Sequence, residues 1–271
     1  MNLKNLLLKS AFLAFFLVTV FSLQAQDRIF TYTYQSGVLN KGQREIEIWN
    51  TYRTGKSDFF TALDHRTEFE IGLGKNLQTS FYLNLSTKTS AVDNGGAKSF
   101  DSENEISFSN EWKYKLLDAV ADPVGLALYG ELGIGTKEKE FEGKVILDKK
   151  FNKFTLATNA VYELESEAEF ENNNAEWEAE HKAELNVGLA YAISPRFQIT
   201  TEHAFRNVFV EGELEHSALY SGVGMSYVHD NFWVNFSLMP QVKGFKGNEG
   251  KSLNLVEYEK MQYRLLVSFA F

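Results

Sequence analysis

The chain has no cysteine, only three prolines and, beyond its first 25 residues, no run of 18 apolar side chains. Without cysteine there are no disulfides, no thiolate metal ligands and no cysteine nucleophile. Few prolines together with 44% hydrophobic and 14% aromatic content exclude a collagen-like or disordered chain. The missing apolar run excludes a membrane-spanning helix downstream of residue 25. Basic residues are the minority, 27 Lys and Arg against 36 Asp and Glu, for a net charge of −9. That balance argues against nucleic acid, whose phosphates need a basic footprint. Also missing are a Gly-x-Ser-x-Gly elbow, a His-Glu-x-x-His pair and a phosphate-cradling glycine loop, so no common catalytic motif is present.

What is there begins with Lys4 and Lys9, an apolar run from Ala11 to Leu23, and Ala25 at a plausible cleavage point. A basic lead, a greasy core and a small residue make a secretory signal peptide over residues 1–25. The core, about 13 residues, falls short of the roughly 20 of a membrane anchor. Cleavage removes Lys4 and Lys9, taking the net charge from −9 to −11.

From Arg44 onward, apolar and polar residues alternate at period two. In 77–86 one parity reads Leu77, Thr79, Phe81, Leu83, Leu85 and the other Gln78, Ser80, Tyr82, Asn84, Ser86. The pattern recurs in 104–114, 231–241 and 261–271, with Trp233 and Leu266 interrupting the polar face. Twelve such segments are expected, near 44–52, 65–73, 77–87, 103–114, 124–135, 140–151, 153–171, 174–192, 196–207, 216–229, 231–242 and 256–271. Tight connections at Gly74-Lys75-Asn76, Asn152-Lys153, Ile193-Ser194-Pro195 and Asp230-Asn231 alternate with longer loops at 53–64, 88–102, 208–215 and 243–255. An even strand number with short turns at one end and long loops at the other is the plan of an outer-membrane barrel.

Aromatic positions support this plan. Tyr114, Phe154, Tyr191, Phe197, Tyr227, Phe232, Phe269 and Phe271 fall near the short-turn rim on the apolar parity. Tyr52, Phe141, Tyr162, Trp177 and Phe205 fall near the other rim. Two such belts suit a wall facing lipid. A soluble sandwich or lipocalin-like barrel also alternates, but turns its apolar parity inward and has no reason to sort aromatics by rim.

The ending Tyr263-Arg264-Leu265-Leu266-Val267-Ser268-Phe269-Ala270-Phe271 resembles the C-terminal signal of Gram-negative outer-membrane β-barrel proteins, with Tyr263 and Phe271 at its aromatic positions. The resemblance implies a porin-like barrel in the bacterial outer membrane, in contact with outer-membrane lipid. It also implies recognition of the last strand, ending in Phe271, by the barrel assembly machinery. The Ala25-Gln26 junction and abundant Asn, Lys and Phe are similar to exported proteins of Bacteroidetes. The resulting expectation is an all-β, twelve-stranded antiparallel transmembrane barrel over 43–271, with 26–42 either a lead-in or a segment tucked into the lumen.

Twelve strands leave a narrow lumen. The polar parity places Glu68, Glu70, Tyr82, Glu105 and Glu131 along it, followed by Lys144, Glu163, Lys182, Glu202, Arg206 and Arg264. Acids exceed bases in this lining, which favours small cationic or neutral solutes over anions. Beyond the membrane, strands seven and eight are expected to form an extended acidic hairpin. Glu163, Glu165, Glu167, Glu169 and Glu171 share one face, and Glu176, Glu178, Glu180 and Glu184 share one face opposite, interrupted by Lys182. A two-residue turn at Asn172-Asn173 opposes Glu169 to Glu176, Glu167 to Glu178 and Glu165 to Glu180; a turn one residue later also stacks Glu on Glu. The bland reading is a solvated, screened ladder. The functional one is a cation ladder on Glu165, Glu167, Glu169, Glu176, Glu178 and Glu180 that gathers cations or binds Ca2+, a hard ion preferring oxygen ligands.

His181 and His203 fall on the apolar parity near the long-loop rim, where a histidine beside a hydroxyl such as Thr201 is the only foothold for an interfacial hydrolase. An interface-level polar side chain is the commoner role. No cofactor and no catalytic residue are assigned. The leading expectation is therefore a non-enzymatic, narrow porin-like channel. Its alternative is a structural or adhesive anchor, or a subunit of an envelope complex, with a side-chain-filled lumen.

Overall fold

In the computed structural model, which describes residues 28–171 and 174–271, every regular element is a strand. They are β1 (Arg44–Thr54), β2 (Phe60–Gly74), β3 (Leu77–Asp93), β4 (Lys98–Leu117), β5 (Gly125–Gly135) and β6 (Glu138–Phe151). The remainder are β7 (Phe154–Glu171), β8 (Asn174–Ser194), β9 (Phe197–Val210), β10 (Glu213–His229), β11 (Phe232–Lys246) and β12 (Met261–Ala270). Each pairs antiparallel with its sequence neighbours, and β1 pairs with β12 to close a twelve-stranded barrel. Closure leaves no unpaired edge, the condition for a sheet in hydrocarbon, where no water can satisfy a free N–H or C=O.

The two parities separate across the wall as the alternation predicts. Phe108 and Val223, on the apolar parity, are each 58% exposed on the outside, whereas Ser80 and Asn235 are fully buried inside. Outward rings touch from strand to strand along the short-turn rim. Phe154 lies 5.0 Å from Tyr191, and Phe232 lies 6.2 Å from both Tyr227 and Phe269. Tyr52 and Tyr263 form a similar contact, 6.1 Å, toward the opposite rim.

Three expectations are revised. Most of the loops are shorter than anticipated, because the ladders continue into stretches without clear alternation. The 88–102 loop shrinks to 94–97 between β3 and β4, and 53–64 to 55–59. The 208–215 loop becomes a two-residue turn at Glu211-Gly212, where both residues have positive φ (51° and 85°) and so match the twist of a tight hairpin. Trp233 and Leu266 do not break the pattern: both point inward, 4% and 0% exposed, into a cluster with Tyr34, Trp49 and Tyr129. They are apolar because they pack against a chain segment inside the barrel. The signal-peptide region and the Asn172-Asn173 turn lie outside the described residues.

In the short-turn link after β4, the Asp118 carboxylate accepts hydrogen bonds from Lys115 Nζ (2.9 Å) and from the N–H groups of Val120 and Ala121. These bonds, the lysine's first, hold its pKa down at about 2, from 3.8. A depressed carboxylate stabilises the link above its unfolded value and loses that contribution as pH falls through about 2. A carboxyl NMR titration should show this midpoint, and Lys115→Met should move it toward the ordinary value. On the lipid face, Val223→Arg should destabilise the barrel in vesicles by about 2–4 kcal/mol, against almost nothing for Val120→Arg in the exposed link. Equal effects at the two sites would contradict a hydrocarbon-facing wall.

Candidate functional site

The interior is divided by the N-terminal segment. Residues 28–39 run through the lower lumen with Phe30 and Thr33 fully buried and Thr31, Tyr32 and Leu39 nearly so. The segment joins no ladder; wall side chains take the ladder's place. Glu202 on β9 accepts Thr31 N and Oγ1 (both 2.8 Å) on one carboxylate oxygen, and Tyr32 N (2.7 Å) and Thr33 N (2.9 Å) on the other. Asn159 on β7 brackets Tyr34 as a strand would, accepting its N–H at 2.6 Å and donating to its carbonyl at 2.9 Å. Further along, Asp148 receives Ser36 N (3.2 Å) and Gln78 receives Leu39 N (2.9 Å). Charge-assisted bonds such as those to Glu202 are roughly twice as strong as neutral ones.

Small residues make room for this segment. Phe30 packs with Ala157 and Ala190, and a Cβ built on Gly188 would lie 2.8 Å from its ring. Arg28 spreads its guanidinium 4.0 Å from the rings of both Tyr34 and Trp49. At the short-turn rim, Gly42 N bonds to Gly72 O (2.8 Å) and returns the chain to the wall at β1.

Above the segment lies a cavity of about 360 Å³ reaching toward the long-loop rim. Eight carboxylates and five cationic side chains line it. The acids are densest on one side, and Arg66 reaches Glu131 there at 3.4 Å. Glu138, Glu140 and Glu142 stand on β6, with Glu131 on β5 and Glu163 on β7; Arg264 stands on β12, directly across a ring of twelve, with Arg66 two strands from it on β2. Arg264 donates to Thr51 Oγ1 (2.8 Å) and Thr31 O (3.1 Å) and lies 3.7 Å from the Tyr32 ring. Arg206 pairs with Glu184 at 3.1 Å, and Lys144 with Glu142 at 2.5 Å. The loop after β11 folds inward at the upper end, where buried Asn254 exchanges hydrogen bonds with Gln241 at 2.6 and 2.9 Å.

Among the residues expected to line the lumen, Glu105, Glu131, Lys144, Glu163, Arg206 and Arg264 border this cavity. Lys182 points inward beside it and bonds to Glu163 (2.9 Å) and to Glu165. Glu68, Glu70, Tyr82 and Glu202 also point inward but are buried, Glu202 under the N-terminal segment and the other three among side chains of the wall. Parity also applied to Glu138, Glu140 and Glu142, which share the face of Lys144, and to Arg66, which shares that of Glu68. The charge of Arg28 had no such signal, since its segment carries no alternation.

The hairpin register sets Glu169 against Glu176, Glu167 against Glu178, Glu165 against Glu180, and Glu163 against Lys182. Glu176 and Glu178 are exposed. Among the described residues, the groups of three carboxylates close enough to share an ion lie on β1, β2 and β4, not on the hairpin. On the outer wall His181 meets Tyr162 Oη (2.7 Å), and His203 meets Ser221 Oγ (2.9 Å) rather than Thr201. Among the described residues the hydrogen bonds of these two rings are these hydroxyl contacts alone.

A closed wall with a greasy outside, aromatic rims and a polar, partly occupied bore defines a transmembrane β-barrel of the outer-membrane type. The chain belongs to DUF6662, a family of unknown function, whose match spans residues 22–271. No curated protein matches it in sequence. Its fold is similar to that of the NanC porin, at 12% identity and a TM-score of 0.53 over 83% of this chain and 98% of that one. An outer-membrane channel from Pseudomonas putida F1 is similar at 12% identity and a TM-score of 0.59, over 87% and 98%. So is the translocator domain of the autotransporter NalP from Neisseria meningitidis, at 11% identity and 0.56, over 87% and 91%. At these identities the likeness is one of fold.

Glu202→Ala strands three backbone N–H groups of the N-terminal segment, while the Thr31 hydroxyl keeps Ser237 Oγ at 2.6 Å. It should cost about 2–4 kcal/mol in the thermal unfolding of the refolded barrel. Amide exchange at residues 31–33 should rise while that of the strands stays slow; unchanged protection there would show that Glu202 does not hold the segment.

Proposed function

We propose that this protein is a narrow, porin-like channel of the bacterial outer membrane, in a Gram-negative, Bacteroidetes-like envelope. Residues 28–39 form the constriction of its bore. The observation that carries the reading is the lined cavity above a segment held only by side chains. Such a segment can leave the bore without unpairing any strand of the wall. Solutes enter from the long-loop rim, where the excess of carboxylates raises the local concentration of cations and leaves neutral solutes unopposed. The projecting Glu165, Glu167, Glu178 and Glu180 extend the same field beyond the mouth. The protein carries out no chemistry of its own, and its last strand addresses it to the barrel assembly machinery.

The alternative is an anchor whose filled lumen makes the barrel a rigid base for the acidic hairpin, favoured by how completely residues 28–39 are buried. Planar-bilayer recording separates the two. The mature chain should give small, cation-selective steps, and removal of residues 26–42 should enlarge them several-fold in a barrel that still shows folded mobility on a gel. Silence from both folded proteins would leave the anchor.

A further inference from the structure

Beside the N-terminal segment the lower lumen holds a second group of carboxylates that the channel reading does not use. Parity turns Glu45 and Glu47 of β1, Glu68 and Glu70 of β2, and Glu111 of β4 inward, and all five are at least nine-tenths buried. Register then stacks them, with Glu45 opposite Glu70 and Glu47 opposite Glu68. One oxygen from each of Glu68, Glu70 and Glu111 lies within 4.8 Å of the other two. That spread suits oxygens on opposite sides of an ion with bonds of about 2.3–2.6 Å.

Proximity alone makes no site, since buried carboxylates are ordinarily matched by donors. Here the donors run out. Glu70 receives Gln78 Nε2 (3.0 Å) and Ser80 Oγ (3.3 Å), and the Tyr82 hydroxyl donates to one oxygen of Glu111. The remaining oxygen of Glu111, Oε1, and Oε2 of Glu68 are buried with no hydrogen-bond partner among the described residues, although each side chain is only 1% exposed. One oxygen of Glu68 and one of Glu70 lie within 4.8 Å of each other, an approach at which two buried carboxylates repel unless a proton or a cation sits between them. The nearby cations are shared: Arg28 lies in the field of both Glu47 and Glu68, and Lys144, which faces Glu111, is bonded to Glu142 at 2.5 Å. A buried carboxylate oxygen left without a donor or a counter-ion is costly.

We propose that Glu68, Glu70 and Glu111 bind a hard divalent cation such as Ca2+ in the lower lumen. The ion takes the two orphaned oxygens as ligands, replaces the proton between Glu68 and Glu70, and ties β2 to β4 across β3. The site is independent of whether the barrel conducts.

The test uses the full mature chain refolded in detergent with Ca2+ or with EDTA, so that the ion can enter before the lumen closes. Bound Ca2+ should raise Tm by several degrees, and Tb3+ in its place should emit on tyrosine excitation, because Tyr82 donates to a ligand. Ca2+ should compete that emission away, and E68Q and E111Q should each weaken Ca2+ binding by about tenfold or more. The hairpin variant E165Q/E167Q/E178Q should bind as the parent does. The proposal is overturned if the parent gives the same Tm in Ca2+ and EDTA, which would mean shared protons neutralise the cluster. It is equally overturned if binding survives E68Q and E111Q but vanishes in the hairpin variant.

Discussion

Every backbone amide of the wall needs a partner inside the wall, because hydrocarbon offers none. The β1–β12 pairing meets that demand by removing both edges, and the consequences run through the molecule. A closed sheet of period-two strands has one face to lipid and one to its own interior. Phe81, Phe108 and Val223 are therefore exposed where a soluble protein would bury them. Glu68, Glu111 and Glu202 are buried where a soluble protein would expose them. The buried side of this protein is its polar side.

A polar interior must in turn satisfy itself. The chain does this by lending the lumen one of its own segments. Residues 28–39 present unpaired backbone N–H groups, and Glu202, Asn159, Asp148 and Gln78 present acceptors from four different strands. The same contacts that remove those orphans occupy the bore. Because they are side-chain contacts, the segment is tied to the wall and is not part of it. Above it lies a charged cavity, bridged by the Arg66–Glu131 pair.

Much of this was legible in the sequence. Twelve alternating segments, the two aromatic belts and the Glu-on-Glu hairpin all follow from spacing, because alternation reports directly which face a side chain takes. The tight Glu211-Gly212 turn was missed because polar residues beyond the membrane look like loop whether or not the ladder continues. Trp233 and Leu266 looked like exceptions because what they pack against is not in their own strand.

The sequence by itself determined the wall: its strand number, its inside and outside, and its two rims, since each is a local, periodic property. Only the tertiary structure decided what fills the bore and which carboxylates meet. Period two says that Glu68, Glu111 and Glu202 point inward, but not that the first two converge while the third meets Thr31. That depends on angular position round a closed ring and on a segment without periodicity, held by residues far away in the chain.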